Sequence, residues 1–538
     1  KLAHIDAASI GTLHSFCLNL IRQQFHLLAL DPQARVLDTE ETSTLEQQSL
    51  DELLEQHFEG KDEFSESVRR YVIEFENGWD KGLRDWIIKI HRFSQTMVNP
   101  EGWIHRQIQS LVCETPDLWS DWLVEEMKHW AKEWGPILSG LPEENTNAKT
   151  CLAILETFKA SDHSLPSLAS CVQGLTERDQ KDCWPPRCKT RHRDPIQKLL
   201  NDAAFLATLC PSESATHDPL KEDWTWYRER TRILLELTRA FSELFQSKKL
   251  ERGGLDFSDL EQYTLTLLWN RKDKKTTDLA GSIQQQFKFV YVDEYQDINA
   301  AQDCILTAIS GTGNKANRFL VGDVKQSIYG FRLASPQYFI DYEKAWQQSV
   351  NQESRQVIYL QDNFRSHPGI LHFVNACFSQ LMADSQGSQA YDQKAHLLFG
   401  DPENRGKFRD TEQSSVECRF ILKSSNKTEP DTIESDDLTD AEKEAWATAL
   451  RFKALKEGGH LIFDTQTDSF RPVEWSDMAI LIRSVRSKAD IYSRTFSQLG
   501  IPLEVPRSGM LERTEITDLI SLLMLLDNPR QDVPLLAV

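Results

Sequence analysis

The chain has 538 residues, with 61 Lys plus Arg against 82 Asp plus Glu, a net charge of −21. That balance excludes a single basic domain that coats nucleic acid, although a local basic or aromatic track can sit on an acidic protein. A length of this order accommodates about three to four domains, and 40% apolar with 27% charged residues describes a globular chain with ample core. No window approaches the roughly 18 apolar residues of a membrane span. Residues 1–6 carry no signal pattern, so the protein is read as cytoplasmic, with no membrane partner. The first residue is Lys1 rather than Met, and residues 534–538 end inside an apolar run. An internal fragment is therefore expected. The ten Cys follow no framework spacing and read as reduced thiols. Cys183 and Cys188 with His192 lack the fourth ligand that zinc needs, so free thiols in a loop are favoured there.

In chain order, Leu13, Phe16, Cys17, Leu20, Ile21, Phe25 and Leu28 recur at helical spacing over 9–28, until Asp31-Pro32 breaks the pattern. From about 36 to 250 the pattern is helical and rich in polar residues, with no convincing strand. Seven of the 14 Trp fall between Trp79 and Trp134. They read mostly as core anchors, with a stacking surface for nucleic acid as the alternative. Arg187, Lys189, Arg191 and Arg193 read as a solvated loop, a phosphate contact being the competing reading. After 250 the texture changes. Residues 287–292, 318–321 and 356–360 are short β-rich runs, each ending in polar residues and followed by helical pattern. Buried parallel strands look like this, and ligands bind at their carboxyl ends. Residues 416–422 and 478–483 are further strand candidates, separated by an acidic loop over 429–440. A helix then starts with Thr439 and Glu442 in capping-box spacing and stops at Gly458-Gly459. Ile516, Leu519, Ile520, Leu523 and Leu526 form a last apolar helix face.

The chemistry sits at three of these strand ends. Asp293-Glu-Tyr-Gln-Asp297 offers adjacent carboxylates, one to hold magnesium and one to polarise an attacking water. Gly322-Asp-Val-Lys-Gln-Ser-Ile-Tyr-Gly-Phe-Arg332 offers a carboxamide, Gln326, able to orient water beside a γ-phosphate. It also carries Tyr329 and Phe331, which could stack on bases or simply fill a core. Asn363-Phe-Arg-Ser-His-Pro368 places Arg365 at a turn before a helix, where a guanidinium can clamp a phosphate. Gly311-Thr-Gly-Asn-Lys315 only imitates a phosphate loop and reads as a connection.

Occurring in this order, the three motifs resemble those of the superfamily-one DNA helicases of the UvrD/Rep type. The segment Thr12-Leu-His-Ser15 resembles the motif of that family that touches single-stranded DNA. Ile10 to Leu18, Leu30-Asp-Pro32, Leu255-Asp-Phe-Ser-Asp-Leu260 and the Asp-Val-Lys-Gln-Ser-Ile-Tyr run resemble the helicase–nuclease branch, the AddA chains of AddAB-type enzymes, with RecB-type chains as near relatives. The resemblance implies an α/β fold: RecA-like parallel-sheet motor domains with a large all-helical insertion. It divides the chain into a first motor domain over 1–30 and 236–348, a helical insertion over 31–235, a second motor domain over 349–512, and the start of a second insertion over 513–538. It implies ATP and Mg2+ as cofactors, with Asp293 on the metal, Glu294 activating water, and Gln326 and Arg365 on the γ-phosphate. Thr12, His14, Tyr329 and Phe331 are then expected along single-stranded DNA, with duplex ends as substrate and an AddB-like protein as partner.

No Gly-x-x-x-x-Gly-Lys-Ser/Thr phosphate loop occurs in the sequence. By resemblance it should precede residue 1, and the last helicase motifs and a nuclease domain should follow residue 538. Two other readings stay open: a stand-alone UvrD-like repair helicase without nuclease, and a motor-like scaffold that has lost ATP binding.

Overall fold

The computed structural model describes residues 8–161, 165–180, 189–210, 218–348, 355–382, 391–403, 416–421, 439–464, 467, 469–485, 488–505, 514–529 and 535. Two compact units emerge: Lys1–Gln361 with Ser379–His396, and Asp362–Phe378 with Leu397–Val538.

In the first unit the opening helix is Leu13–Gln23, capped by the Thr12 side chain, and a short second turn, Phe25–Leu28, follows it. Ala29, at φ 53°, ends the segment one residue before the expected Leu30-Asp-Pro32 break. The chain then enters a two-residue strand, Arg35–Val36, which pairs in parallel with Gly254–Leu255. Every described regular element between those partners is a helix, as the polar-rich periodicity predicted.

That helical segment holds two principal cores. Helices Thr39–Glu59, Glu63–Phe75 and Lys81–Gln95 pack against the 33-residue helix Pro219–Glu251, burying Leu50, Leu54, Leu83, Ile87, Phe241 and Phe245. Helices Asp117–Ser139, Thr146–Lys159, Leu165–Glu177 and Gln197–Ala207 bury a second set around Leu155, Leu168 and Leu199. Each such side chain contributes about 1.5–3 kcal/mol by leaving water. Of the seven Trp between 79 and 134, Trp134 is buried and Trp103, Trp119 and Trp130 pack against cores, while Trp79, Trp86 and Trp122 stay exposed. Arg193 pairs with both oxygens of Asp179, at 2.6 and 2.7 Å, and Arg191 with Glu144. Those two guanidiniums are therefore engaged within the protein. Cys183, Cys188 and Arg187 lie outside the described residues.

A third core joins the helix Leu13–Gln23 to Phe257–Leu268 and Ala300–Ala308 through Cys17, Leu20, Leu260, Leu265, Ala301 and Ile305. Beside it, Lys249 is buried with its Nζ 2.6 Å from Asp256 and 2.7 Å from Asp259, tying the long helix to the Leu255–Leu260 segment. Val290–Val292 and Arg318–Leu320 form a parallel pair in the register Tyr291↔Phe319. Gly311–Lys315 lies in the connection between Ala300–Ala308 and Arg318–Leu320, as expected of a phosphate-loop mimic.

Three strand expectations are corrected. Residues 356–360 are irregular; the strand is Asp362–Asn363, paired in parallel with Leu398–Phe399. Residues 416–421 and 478–483 also form no strand, Leu422 lying outside the described residues. The reason is common to all three. Apolar, β-branched composition makes a strand only where a neighbour completes its hydrogen bonds, and here no described strand pairs with them. Several of their apolar side chains face solvent, Leu360, Phe420 and Leu481 among them, the last at 95% exposure, while Ile480 packs against the core around Tyr492 and Phe496.

In the second unit, Asp440–Glu457 starts with the expected Thr439/Glu442 capping box and ends at Gly458. It packs against Ala489–Gln498 through Ala445, Ala449, Tyr492 and Phe496. Leu461–Asp464 and Ser469–Pro472 form an antiparallel pair that the sequence pattern does not announce. The last apolar face lies on the helix Thr514–Asp527. Among the described residues, no helix is long and apolar enough to cross a membrane.

Candidate functional site

The parallel strands Val290–Val292 and Arg318–Leu320 end side by side. Past their paired residues the ladder continues: Val321 N–H donates to Val292 O at 2.8 Å, and Tyr295 N–H to Val321 O at 2.9 Å. Asp293 and Glu294 emerge here, both exposed. Asp293 Oδ1 accepts the Glu294 N–H at 3.0 Å. Glu294 is left-handed, at φ 52° and ψ 44°, a conformation that costs a non-glycine residue about 1–3 kcal/mol and clusters at functional sites.

Two buried side chains hold this turn. Tyr295 is fully buried, and its hydroxyl donates to Asp303 Oδ1 at 2.6 Å. Burial beside that carboxylate pushes the phenol far above its ordinary pKa. Gln296 is 1% exposed. Its Nε2 donates to Glu294 Oε2 at 2.7 Å and to Asp297 Oδ2 at 3.3 Å, and its Oε1 accepts the Asp323 N–H at 2.9 Å. Gly322 leaves room for that amide, since a Cβ there would lie 2.6 Å from Gln296 Oε1.

The network continues into the second motif. Burial would raise the Asp323 carboxyl, but hydrogen bonds from Lys325 and Gln326 hold it below the usual carboxylate range. Lys325 Nζ lies 2.8 Å from Asp323 Oδ1, and Gln326 Nε2 donates to Oδ2 at 3.0 Å. Glu294, Gln296, Asp323 and Gln326 thus form one continuous chain of contacts. Sequence reading named its two ends and missed its middle. Gln296 and Asp323 lie inside the two motifs, but nothing in their spacing marks them as linkers.

Asp297 Oδ1 is buried without a hydrogen-bond partner among the described residues, and burial together with Glu294 raises that carboxyl above its usual range. Asp293 Oδ2 also accepts no described hydrogen bond. Of these two under-satisfied oxygens only that of Asp293 is exposed, and carboxylate oxygen is the donor magnesium takes; among the described residues no group of three or more His, Cys, Asp or Glu gathers to hold a metal ion.

The aromatics lie downstream of this turn. Phe331 is 76% exposed and Tyr329 half-buried, with ring centroids 5.8 Å apart. The Arg332 guanidinium lies 4.9 Å from the Tyr329 ring centroid. Phe331 is therefore no core residue. Thr12 is exposed, and its hydroxyl caps its helix by accepting the Ser15 N–H. His14 is half-buried, with Nε2 3.0 Å from Glu261 Oε1 and its ring against Phe257. Arg365 stands in the second unit, exposed, in a turn where Asn363 Oδ1 accepts the Arg365 N–H at 3.0 Å. Among the described residues its guanidinium makes no ion pair, with Asp362 or any other carboxylate.

Residues 1–347 match the UvrD/REP helicase N-terminal domain, and residues 358–538 match the UvrD-like helicase C-terminal domain. Over its full length the chain is 31% identical to the AddA chain of the ATP-dependent helicase/nuclease of Syntrophomonas wolfei, covering 46% of that protein. It is 31% identical to the same-named chain of Ligilactobacillus salivarius and 30% identical to that of Alkaliphilus oremlandii, covering 44% and 45% of them. The chain spans about half the length of the curated relatives it matches. With both domain matches running in order along nearly the whole sequence, this chain belongs to the UvrD-like helicase family.

Proposed function

We propose that the chain is the motor portion of an ATP-dependent DNA helicase, a helicase–nuclease chain of AddA type that moves along single-stranded DNA and unwinds duplex ends in double-strand break repair. The observation that carries the reading is the contact chain from Glu294 through Gln296 and Asp323 to Gln326. A hydrolase that couples phosphate sensing to water activation needs such a link. Names of the relatives favour the helicase–nuclease branch over a stand-alone helicase. RecA-like motor domains over 1–30 with 236–348 and over 349–512, the helical insertion over 31–235 and the start of another over 513–538 are part of the proposal. So are a cytoplasmic location and an AddB-like partner protein.

In this reading Asp293 ligates magnesium, directly or through water. The bound ion would neutralise charge on the nucleotide phosphates. Glu294, presented by its left-handed turn and oriented by Gln296, takes the proton of the attacking water. Gln326 orients that water beside the γ-phosphate, and Arg365 binds phosphate oxygen through its guanidinium, which makes no ion pair among the described residues. Thr12, His14, Tyr329 and Phe331 line the single strand. Aromatic stacking there is tolerant of sequence, as a motor requires.

The test is Glu294→Gln in the full-length protein. It keeps shape and removes the base, so ATP binding survives while turnover falls by a factor of about 100 or more. Turnover near wild type removes Glu294 from the role of base. The 538-residue chain alone, without a phosphate loop in its sequence, should hydrolyse no ATP with or without DNA. DNA-stimulated hydrolysis by the purified chain would refute that expectation.

A further inference from the structure

One buried carboxylate has no part in the proposed chemistry. Glu261 is 5% exposed on the helix Phe257–Leu268. Three side chains meet it: His14 Nε2 at 3.0 Å and Gln302 Nε2 at 2.6 Å on Oε1, and Asn299 Nδ2 at 3.1 Å on Oε2. Both oxygens of this carboxylate act as acceptors toward the two amides, and His14 completes the set by donating its Nε2–H to Oε1. The partners come from two places. His14 belongs to the segment proposed to touch single-stranded DNA. Asn299 and Gln302 form the capping box of the helix Ala300–Ala308, which starts directly after Asp297-Ile298.

A second tie reaches the same point. The loop that carries Tyr329 and Phe331 returns at Ser335, whose N–H donates to Ile298 O at 2.8 Å. One proposed DNA-contacting segment is thus hydrogen-bonded directly to Ile298, and the other is joined through Glu261 to Asn299, the two residues that follow the catalytic turn. A shift of His14 along a bound strand would pull on Asn299 through Glu261. Asn299 is two residues from Asp297 and five from Glu294.

Resting on the motor reading above, we propose that Glu261 is the positioning residue through which single-stranded DNA at His14 stimulates hydrolysis at Glu294. It touches neither DNA nor nucleotide. Its carboxylate holds the DNA-contacting helix start and the capping box in one arrangement, so that occupancy of the first biases the geometry of the second.

The experiment uses the full-length protein with oligothymidylate as the probe. Hydrolysis is measured without DNA and across an oligothymidylate titration, for wild type, Glu261→Gln and Glu261→Asp. Glu261→Gln should keep hydrolysis without DNA within about twofold, while maximal stimulation by DNA falls about 5- to 150-fold, the usual span of inter-site coupling. The oligothymidylate concentration giving half-maximal stimulation should change far less than the maximum. Glu261→Asp keeps the charge but shortens the reach, and should fall between the two; it decides the matter if Glu261→Gln folds poorly. Unchanged stimulation in both variants overturns the proposal. So does a parallel loss of basal and stimulated rates, the mark of a merely structural residue. A wild-type protein that hydrolyses ATP with no response to DNA overturns the motor reading itself, and this coupling with it.

Discussion

Replacing Gly322 with alanine would test whether the two strand-end motifs work as one unit. The new Cβ would sit 2.6 Å from Gln296 Oε1 and 3.2 Å from both Phe339 Cε1 and Tyr295 N. Gln296 is buried and cannot swing into solvent, and Tyr295 N is backbone. The methyl must therefore displace the amide that bridges Glu294 and Asp323. Overpacking of a tight site costs about 1–3 kcal/mol, and the lost bond from the Asp323 N–H about 0.5–1.5 kcal/mol more. The expected destabilisation is about 2–4 kcal/mol, read by urea unfolding of the 538-residue chain. In the full-length protein, Glu294 without its amide partner should hydrolyse ATP about 10- to 100-fold more slowly, the scale set by small misplacements of a reacting group. Gly281→Ala is the control: it lies in the helix Asp278–Gln286 with nothing within 4 Å of the added carbon, and alanine there should stabilise by up to about 1 kcal/mol. If Gly322→Ala keeps both wild-type stability and wild-type turnover, the Gln296 bridge is not what links the motifs.

Two further outcomes are expected. His91 is buried against Phe241 and Phe245; Ser242 Oγ donates to Thr238 O, so His91 donates its Nδ1–H to Ser242 at 2.7 Å. Burial, and then the Lys249 cation, hold its pKa at about 4, below the roughly 6.5 of an unfolded chain. Its contribution to stability is therefore whole above pH 6.5 and is lost as the pH falls toward 4, by about 3 kcal/mol in all. His91→Gln should flatten the stability profile across that window, and an unaltered slope would locate the acid sensitivity elsewhere. Tyr329→Ala with Phe331→Ala should weaken single-strand binding by about 1–3 kcal/mol per lost stack with little change in melting temperature; a large fall in melting temperature at unchanged affinity would return both rings to a packing role.

Local signals carried much of the architecture. The helix at Thr439 was legible because a capping box is written in four consecutive residues, and the break near Ala29 because Pro32 follows so closely. The carboxylates Asp293 and Glu294 were legible because adjacent acids after a short apolar run are a local pattern, and resemblance to known motifs supplied their chemistry. What the sequence by itself determined was thus whatever depends on neighbours a few residues apart. Only the tertiary structure decided the rest. Residues 356–360 have strand composition and lack a partner, while Asp362–Asn363 have none of that composition and pair with Leu398–Phe399. Gln296 matters because it reaches Asp323, 27 residues on, and Glu261 because it gathers His14 from 247 residues away. A hydrogen bond depends on distance in space, and its energy carries no trace in the sequence spacing of the residues that share it.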